Sequence, residues 1–301
     1  MKKVAISIGD LNGIGIQLAL NSHNKIKRYV NPLYVIDKRM LKQASKLLKV
    51  EIPKDFYTIS PKAPYFQIKP AKVSKKSGFY SFKSFQKAIE LANSGKVDAI
   101  CTLPINKESW AKAGVKYVGH TDMLRDYFKQ DAIMMLGCPE LFVALYTEHI
   151  PLKNVAKEIK SKKLTKFLLD FYNSTKPNST VGVLGLNPHA GDNGVLGDEE
   201  RTIQKAIKKA NKSIGKQAFS NPLVPDIAFT PHTRTNYNYM VAMYHDQGLA
   251  PLKALYFEES INVSLNLPIL RTSVDHGTAF DIAYTDTKLN DKSYINAIRY
   301  I

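Results

Sequence analysis

Short apolar runs alternate with longer amphipathic stretches along the whole chain. Residues 4–8, 33–36, 97–102, 132–136, 142–146, 180–186, 240–244 and 261–265 form brief β-rich runs, which predicts strands. Apolar positions at helical spacing predict helices over residues 15–21, 39–48, 81–92, 152–171, 199–212, 278–284 and 293–300. Such alternation points to an α/β architecture with a largely parallel or mixed sheet. The Pro- and Lys-rich stretch at 53–76 reads as a loop, and no internal repeat or low-complexity tract interrupts the pattern.

A chain of 301 residues admits one large domain or two modest ones. With 44% hydrophobic and 23% charged residues it has the composition of an ordinary soluble enzyme. No apolar run approaches the ~18 residues that span a bilayer. The basic start runs into an apolar stretch that stops at Asp10, too short for the core of a signal peptide, so it reads as a first buried strand. Cys101 and Cys138 lie far apart among apolar residues, which predicts two buried thiols and fits a reducing, cytoplasmic setting. The net charge of +17 raises nucleic acid, an anionic surface or acidic small molecules as partners. The lysines, however, are spread over the polar faces of several helical patterns, and no helix-turn-helix, zinc-finger or ribonucleoprotein motif accompanies them. Neither nucleic acid nor a membrane is therefore expected as the main partner.

The first strand leads into Gly9-Asp10-Leu11-Asn12-Gly13-Ile14-Gly15, whose glycines do not match the dinucleotide fingerprint Gly-x-Gly-x-x-Gly. A tight strand-to-helix turn is the simpler reading. Histidine placement says more. His189 follows the run at 180–186, His245 follows 240–244 and His149 follows 142–146, the loop positions where α/β proteins hold ligands. Three imidazoles at three strand ends could converge on a divalent ion, but intervals of 40 and 56 residues fit no local metal motif. His23 and His232, in polar neighbourhoods, read as surface or capping residues. Glu199-Glu200 reads as charge decorating a helix N-terminus. Ser7, Ser81 and Ser264 lack a nucleophile-elbow sequence, so a serine hydrolase is not indicated.

The segments Pro104-Ile105-Asn106-Lys107, Gly119-His120-Thr121-Asp122, Gly185 to Gly191, Ala242 to Gly248 and Asp275-His276-Gly277-Thr278-Ala279 resemble, in order and spacing, the signatures of the 4-hydroxythreonine-4-phosphate dehydrogenase (PdxA) family. The opening departs from that pattern, with Leu11, Ile16 and Gln17 where Pro, Pro and Glu are usual, and Asp122 stands where Glu is usual. The resemblance implies an isocitrate/isopropylmalate dehydrogenase-like fold of two α/β domains flanking a cleft. Residues 1–120 with 270–301 would form one domain and 121–269 the other. It implies a homodimer whose active site lies at the subunit interface with metal ligands shared between chains. His149, His189 and His245 would bind the metal. His120, Thr121, Lys253, Asn262 and Arg271 would contact substrate, and Asp226 would be an acidic residue near it. His276, Gly277 and Thr278, ahead of a predicted helix, would hold the dinucleotide.

The implied chemistry is NAD-dependent oxidation of a small phosphorylated hydroxy-amino acid, assisted by a divalent metal. Imidazole ligands favour zinc, with cobalt, manganese or magnesium as alternatives. Lys253 and Arg271 suit a phosphate handle, and Lys253 could equally assist proton transfer. His120, Lys253 and Asp226 are the residues expected to take part in catalysis. Three alternatives stay open: a threonate or erythronate phosphate dehydrogenase on the same scaffold, acyl transfer to phosphate on a related fold, and a non-enzymatic nucleic-acid binder.

Overall fold

The computed structural model describes residues 1–301. The chain forms two compact units, Met1–Gln130 with Ile261–Val263 and Leu267–Ile301, and Asp131–Ser260 with Ser264–Asn266. The first opens with β1 (Lys3–Ser7), α1 (Gly15–Ile26), β2 (Asn31–Val35), α2 (Lys38–Leu48), β3 (Thr58–Ile59), α3 (Lys75–Asn93), β4 (Ala99–Thr102), α4 (Lys107–Lys112) and α5 (His120–Phe128). The second begins with β5 (Ile133–Cys138), β6 (Leu141–Leu145), α6 (Val155–Glu158), α7 (Ser161–Thr175), β7 (Val181–Leu184) and α8 (Glu199–Ile214). It continues through β8 (Phe219–Leu223), α9 (Pro225–Ala228), α10 (Pro231–Arg234), β9 (Tyr239–Ala242) and α11 (His245–Tyr256). After β10 (Ile261–Leu265), the chain closes the first unit with β11 (Leu270–Val274) and α12 (Lys292–Arg299).

In the first unit the strands run in the order β3-β2-β1-β4-β11, every adjacent pair parallel. In the second the order is β5-β6-β9-β7-β8, parallel except for the β5–β6 hairpin. Parallel strands are covered on both faces, which is why β4 and β7 are buried at every position, and the β5–β6 hairpin is buried throughout as well. Phe85, Ala88, Ile89 and Trp110 lead the core of the first unit. Leu136, Val143, Leu184, Met240 and Leu252 fill that of the second. The topology has a functional consequence: β6, β9 and β7 are neighbours and run the same way, so the loops carrying His149, His245 and His189 leave one edge of the second unit's sheet.

Helix boundaries depart from the pattern where a local contact outweighs it. α3 starts at Lys75 because Ser74 caps it, accepting from the backbone N–H groups of Lys76 and Ser77. Gly78 inside this helix lets α4 approach: a Cβ there would lie 2.0 Å from the carbonyl oxygen of Ser109. Gly78→Ala is accordingly expected to destabilise the fold by roughly 3 kcal/mol, read as a lowered urea midpoint, because neither backbone can yield cheaply. The single helix expected over 152–171 is broken at Ile159 (ψ 84°), leaving a short turn, α6 and α7. No helix follows His276-Gly277-Thr278. Ala279 and Tyr284 take left-handed conformations (φ 42° and 61°), and the segment is a series of turns.

Cys101 and Cys138 are buried free thiols, each pushed up to about 12 by burial. His23 corrects the surface reading. It is 1% exposed, with Nδ1 2.9 Å from Tyr34 Oη and Nε2 3.1 Å from Asp55. No helix is long and apolar enough to cross a membrane.

Candidate functional site

In the first unit, polar side chains gather where β4 and β11 meet the start of α5. Arg271, on β11, is 3% exposed and donates Nε and Nη2 to Thr102 Oγ1 at 3.1 and 2.7 Å. Its Nη2 also lies 3.2 Å from His120 Nδ1. A guanidinium only donates, so His120 Nδ1 must accept, which places the imidazole proton on Nε2. That Nε2 is shielded from solvent and has no hydrogen-bond partner in the chain. Phe85 and Trp110 stand edge-to-face with the ring at 4.5 and 5.6 Å between centroids and fix its plane. Burial first, then the charges of Arg271 and Lys107, hold His120 well below the usual imidazole range. His120 is therefore a neutral donor beside a buried cation.

This fixes the sign of a pH effect. The folded His120 resists protonation while the unfolded one accepts a proton near pH 6.5, so stability falls as pH drops below that value. Between pH 6.5 and 5 the denaturation midpoint is expected to fall, and His120→Asn should flatten the dependence by up to about 1.4 kcal/mol per pH unit.

Thr121 is buried in the first turn of α5, which starts at Gly119 without a side-chain cap. Its leading N–H groups therefore suit an anion. Asn262, on β10, has a buried Oδ1 without a partner. The glycine loop after β1 is not a phosphate cradle. Asp10 N donates to Pro104 O (2.9 Å), Gly13 N to Asp10 O (3.0 Å) and Ile14 N to Thr278 O (3.1 Å), so its amides are engaged. Asp10 itself is fully buried, its carboxyl pushed up by burial and held by Asn12 N and Ser77 Oγ. Through Thr278 this loop braces the His276 segment. Burial holds His276 below the usual range, and its Nδ1 bonds to Gly277 O at 3.1 Å.

In the second unit, His149 and His245 come together, their ring centroids 5.5 Å apart. Asp246 Oδ1, 2.7 Å away, accepts from His245 Nδ1 and leaves Nε2 with its lone pair. His189 is exposed on the 188–194 turn and does not join them: no three His, Cys, Asp or Glu side chains gather as a metal-holding set within the chain. Lys253 lies half-buried about two turns along the helix that His245 begins, with Nζ 5.8 Å from the Phe257 ring centre. Asp226 is exposed in the first turn of the four-residue α9.

Sequence reasoning missed Thr102, Asp246 and Glu200. Thr102 ends a buried strand and reads as core. Asp246 stands beside a singled-out histidine, a signal that was available. Glu200 is 8% exposed and accepts from the backbone N–H groups of Leu186 and Asn187, both at 2.7 Å, instead of merely facing solvent at a helix end.

Comparison with known proteins agrees along the chain. Residues 28–301 match the family described as Pyridoxal phosphate biosynthetic protein PdxA. The 4-hydroxythreonine-4-phosphate dehydrogenase of Sulfurimonas denitrificans is 62% identical over 99% of this chain and 96% of its own length. That of Campylobacter fetus is 58% identical over 100% and 97%. A crystal structure of a 4-hydroxythreonine-4-phosphate dehydrogenase from Burkholderia phymatum is 32% identical, covers 100% of this chain and 97% of that one, and superposes with a TM-score of 0.83. The α/β architecture, the ordered signature segments and these identities over nearly full length agree: the chain belongs to the PdxA family of pyridoxal phosphate biosynthetic proteins.

Proposed function

We propose that this chain is a cytoplasmic, homodimeric dehydrogenase that oxidises 4-phosphooxy-L-threonine with NAD. The resulting 3-keto acid then loses carbon dioxide to give 3-amino-2-oxopropyl phosphate. The observation that carries the reading is the Arg271–Thr102–His120 cluster: a buried guanidinium beside a neutral imidazole whose Nε2–H has no partner in the chain. An anionic substrate group supplies the acceptor that the His120 Nε2–H lacks, next to the positive charge of the guanidinium.

His149 and His245 present paired rings, and the Asp246 contact leaves His245 Nε2 ready to ligate. An all-imidazole set suits zinc, or cobalt or manganese, better than magnesium. We read the His149–His245 pair as one chain's share of a site that His189 completes in the homodimer. His149, His245 and His189 would hold an ion able to lower the pKa of the substrate alcohol, and the His276–Thr278 segment would hold the dinucleotide that supplies the acceptor for the hydride of the alcohol carbon. His120 takes no proton in this scheme: with Nδ1 engaged by Arg271, it orients and donates. Proton removal falls to another group, for which Lys253 and Asp226 are the candidates, Lys253 serving alternatively as a phosphate contact. Thr121 and Asn262 add hydrogen bonds to the substrate, and His276, Gly277 and Thr278 hold the dinucleotide in a braced loop instead of at a helix end.

The test is NADH formation with 4-phosphooxy-threonine, run beside 4-phosphoerythronate. Turnover with the amino substrate supports the proposal. Turnover with the sugar acid alone keeps the scaffold's chemistry and moves the substrate, and none with either removes the proposal.

A further inference from the structure

The turn that carries His189 lies outside ordinary backbone space. From His189 to Asn193 five successive residues have φ between 41° and 80°, and four of them bear side chains, for which that region is disfavoured. Such backbone persists only where its surroundings over-determine it. The first turn of α8 supplies the constraint. Glu200 Oε1 accepts from Leu186 N and Asn187 N, and Oε2 accepts from Asn187 Nδ2 at 2.9 Å. Glu199 Oε2 takes a second bond from the same amide at 2.7 Å, and Arg201 Nη2 reaches Asn193 O at 3.4 Å. Gly191 packs on the same carboxylate, so close that a Cβ there would lie 2.6 Å from Glu200 Oε2.

We infer that Glu200 is a positioning residue for the metal: its carboxylate fixes the left-handed turn and, through it, the direction in which His189 offers its imidazole. The inference rests on reading His189 as a metal ligand. The acceptor pattern demands a carboxylate. Three donors converge on its two oxygens, and a glutamine would turn an NH₂ group against one of them. Aspartate is one methylene too short to reach the loop from the same backbone position.

Zinc affinity of the purified full-length chain, measured by competition with a chromophoric chelator, separates the two claims, with circular dichroism on the same samples. His189→Ala comes first. If zinc affinity is unchanged, His189 is no ligand and the underlying reading fails, whatever Glu200 does. If it falls, Glu200→Gln is expected to weaken zinc about 10–100-fold with the spectrum preserved. Combined with His189→Ala, Glu200→Gln should then add nothing, because the two act through one imidazole, whereas a purely structural role would add its full effect. Should Glu200→Gln not fold, Gly191→Ala displaces the same carboxylate from the loop side and is expected to weaken zinc in the same direction. Affinity within twofold of the parent in the folded variant, or full additivity with His189→Ala, overturns the inference.

Discussion

Arg271→Met is expected to lower kcat/KM by about 10²–10⁴-fold while changing the stability of the fold far less. The guanidinium is 3% exposed, and burial pulls it down to about 10 from its usual value. Removing one member of a buried, hydrogen-bonded charge pair costs roughly 3–5 kcal/mol, which corresponds to that range of rate. In the proposed complex the member left unpaired is the substrate anion. Without substrate the two effects oppose each other: methionine has no charge to desolvate, but Thr102 Oγ1 and His120 Nδ1 lose their donor at a cost of about 1–3 kcal/mol. Arg271→Lys should recover little, because one ammonium cannot replace a fork that holds Thr102 through two nitrogens and His120 through one of them. Steady-state kinetics with thermal melts check this. Equal losses of activity and stability would mean that Arg271 serves the fold alone.

His149→Ala and His245→Ala carry the other large effect. Each is expected to remove tight zinc binding and to reduce kcat by about 10³-fold or more, with melting of the metal-free protein unchanged. His149 is exposed and the His245 side chain is 38% exposed, so neither supports the core. Asp246→Asn should act more gently, weakening zinc by about 10–100-fold, because it loosens the orientation of His245 without removing the ligand. Zinc content after dialysis and kcat on the same preparations decide the matter. Variants that keep full zinc and full turnover would exclude this pair from the metal site.

The alternating pattern made most strands legible, because parallel strands buried on both faces leave compact apolar runs. It missed α11, whose Gly248 and Pro251 read as helix breakers, and β8, where Pro222 interrupts the run. It also extended a helix through 278–284, where left-handed Ala279 and Tyr284 break the backbone. Periodicity reports which face is buried, and it is silent on such local conformations. His149, His189 and His245 stood out by their place after strands, and the neighbouring positions of β6, β9 and β7 supply the reason. Thr102, His120 and Arg271 lie too far apart in sequence for spacing to unite them, and Thr102 became visible only through its contact with the guanidinium. Glu200 was hidden for another cause: acidic residues opening a helix are so readily explained by its dipole that a buried clamp looks the same in one dimension. The surplus of positive charge stays largely where the pattern placed it, with Lys205, Lys208, Lys209 and Lys212 along the outer face of α8.

The most direct test of the central claim titrates zinc into metal-free protein at fixed NAD and 4-phosphooxy-threonine while NADH is followed by absorbance. The account predicts no turnover without metal, restoration that saturates near one equivalent per chain, and no restoration in His245→Ala. Full turnover by the metal-free chain, or restoration in His245→Ala equal to that of the parent, would contradict it.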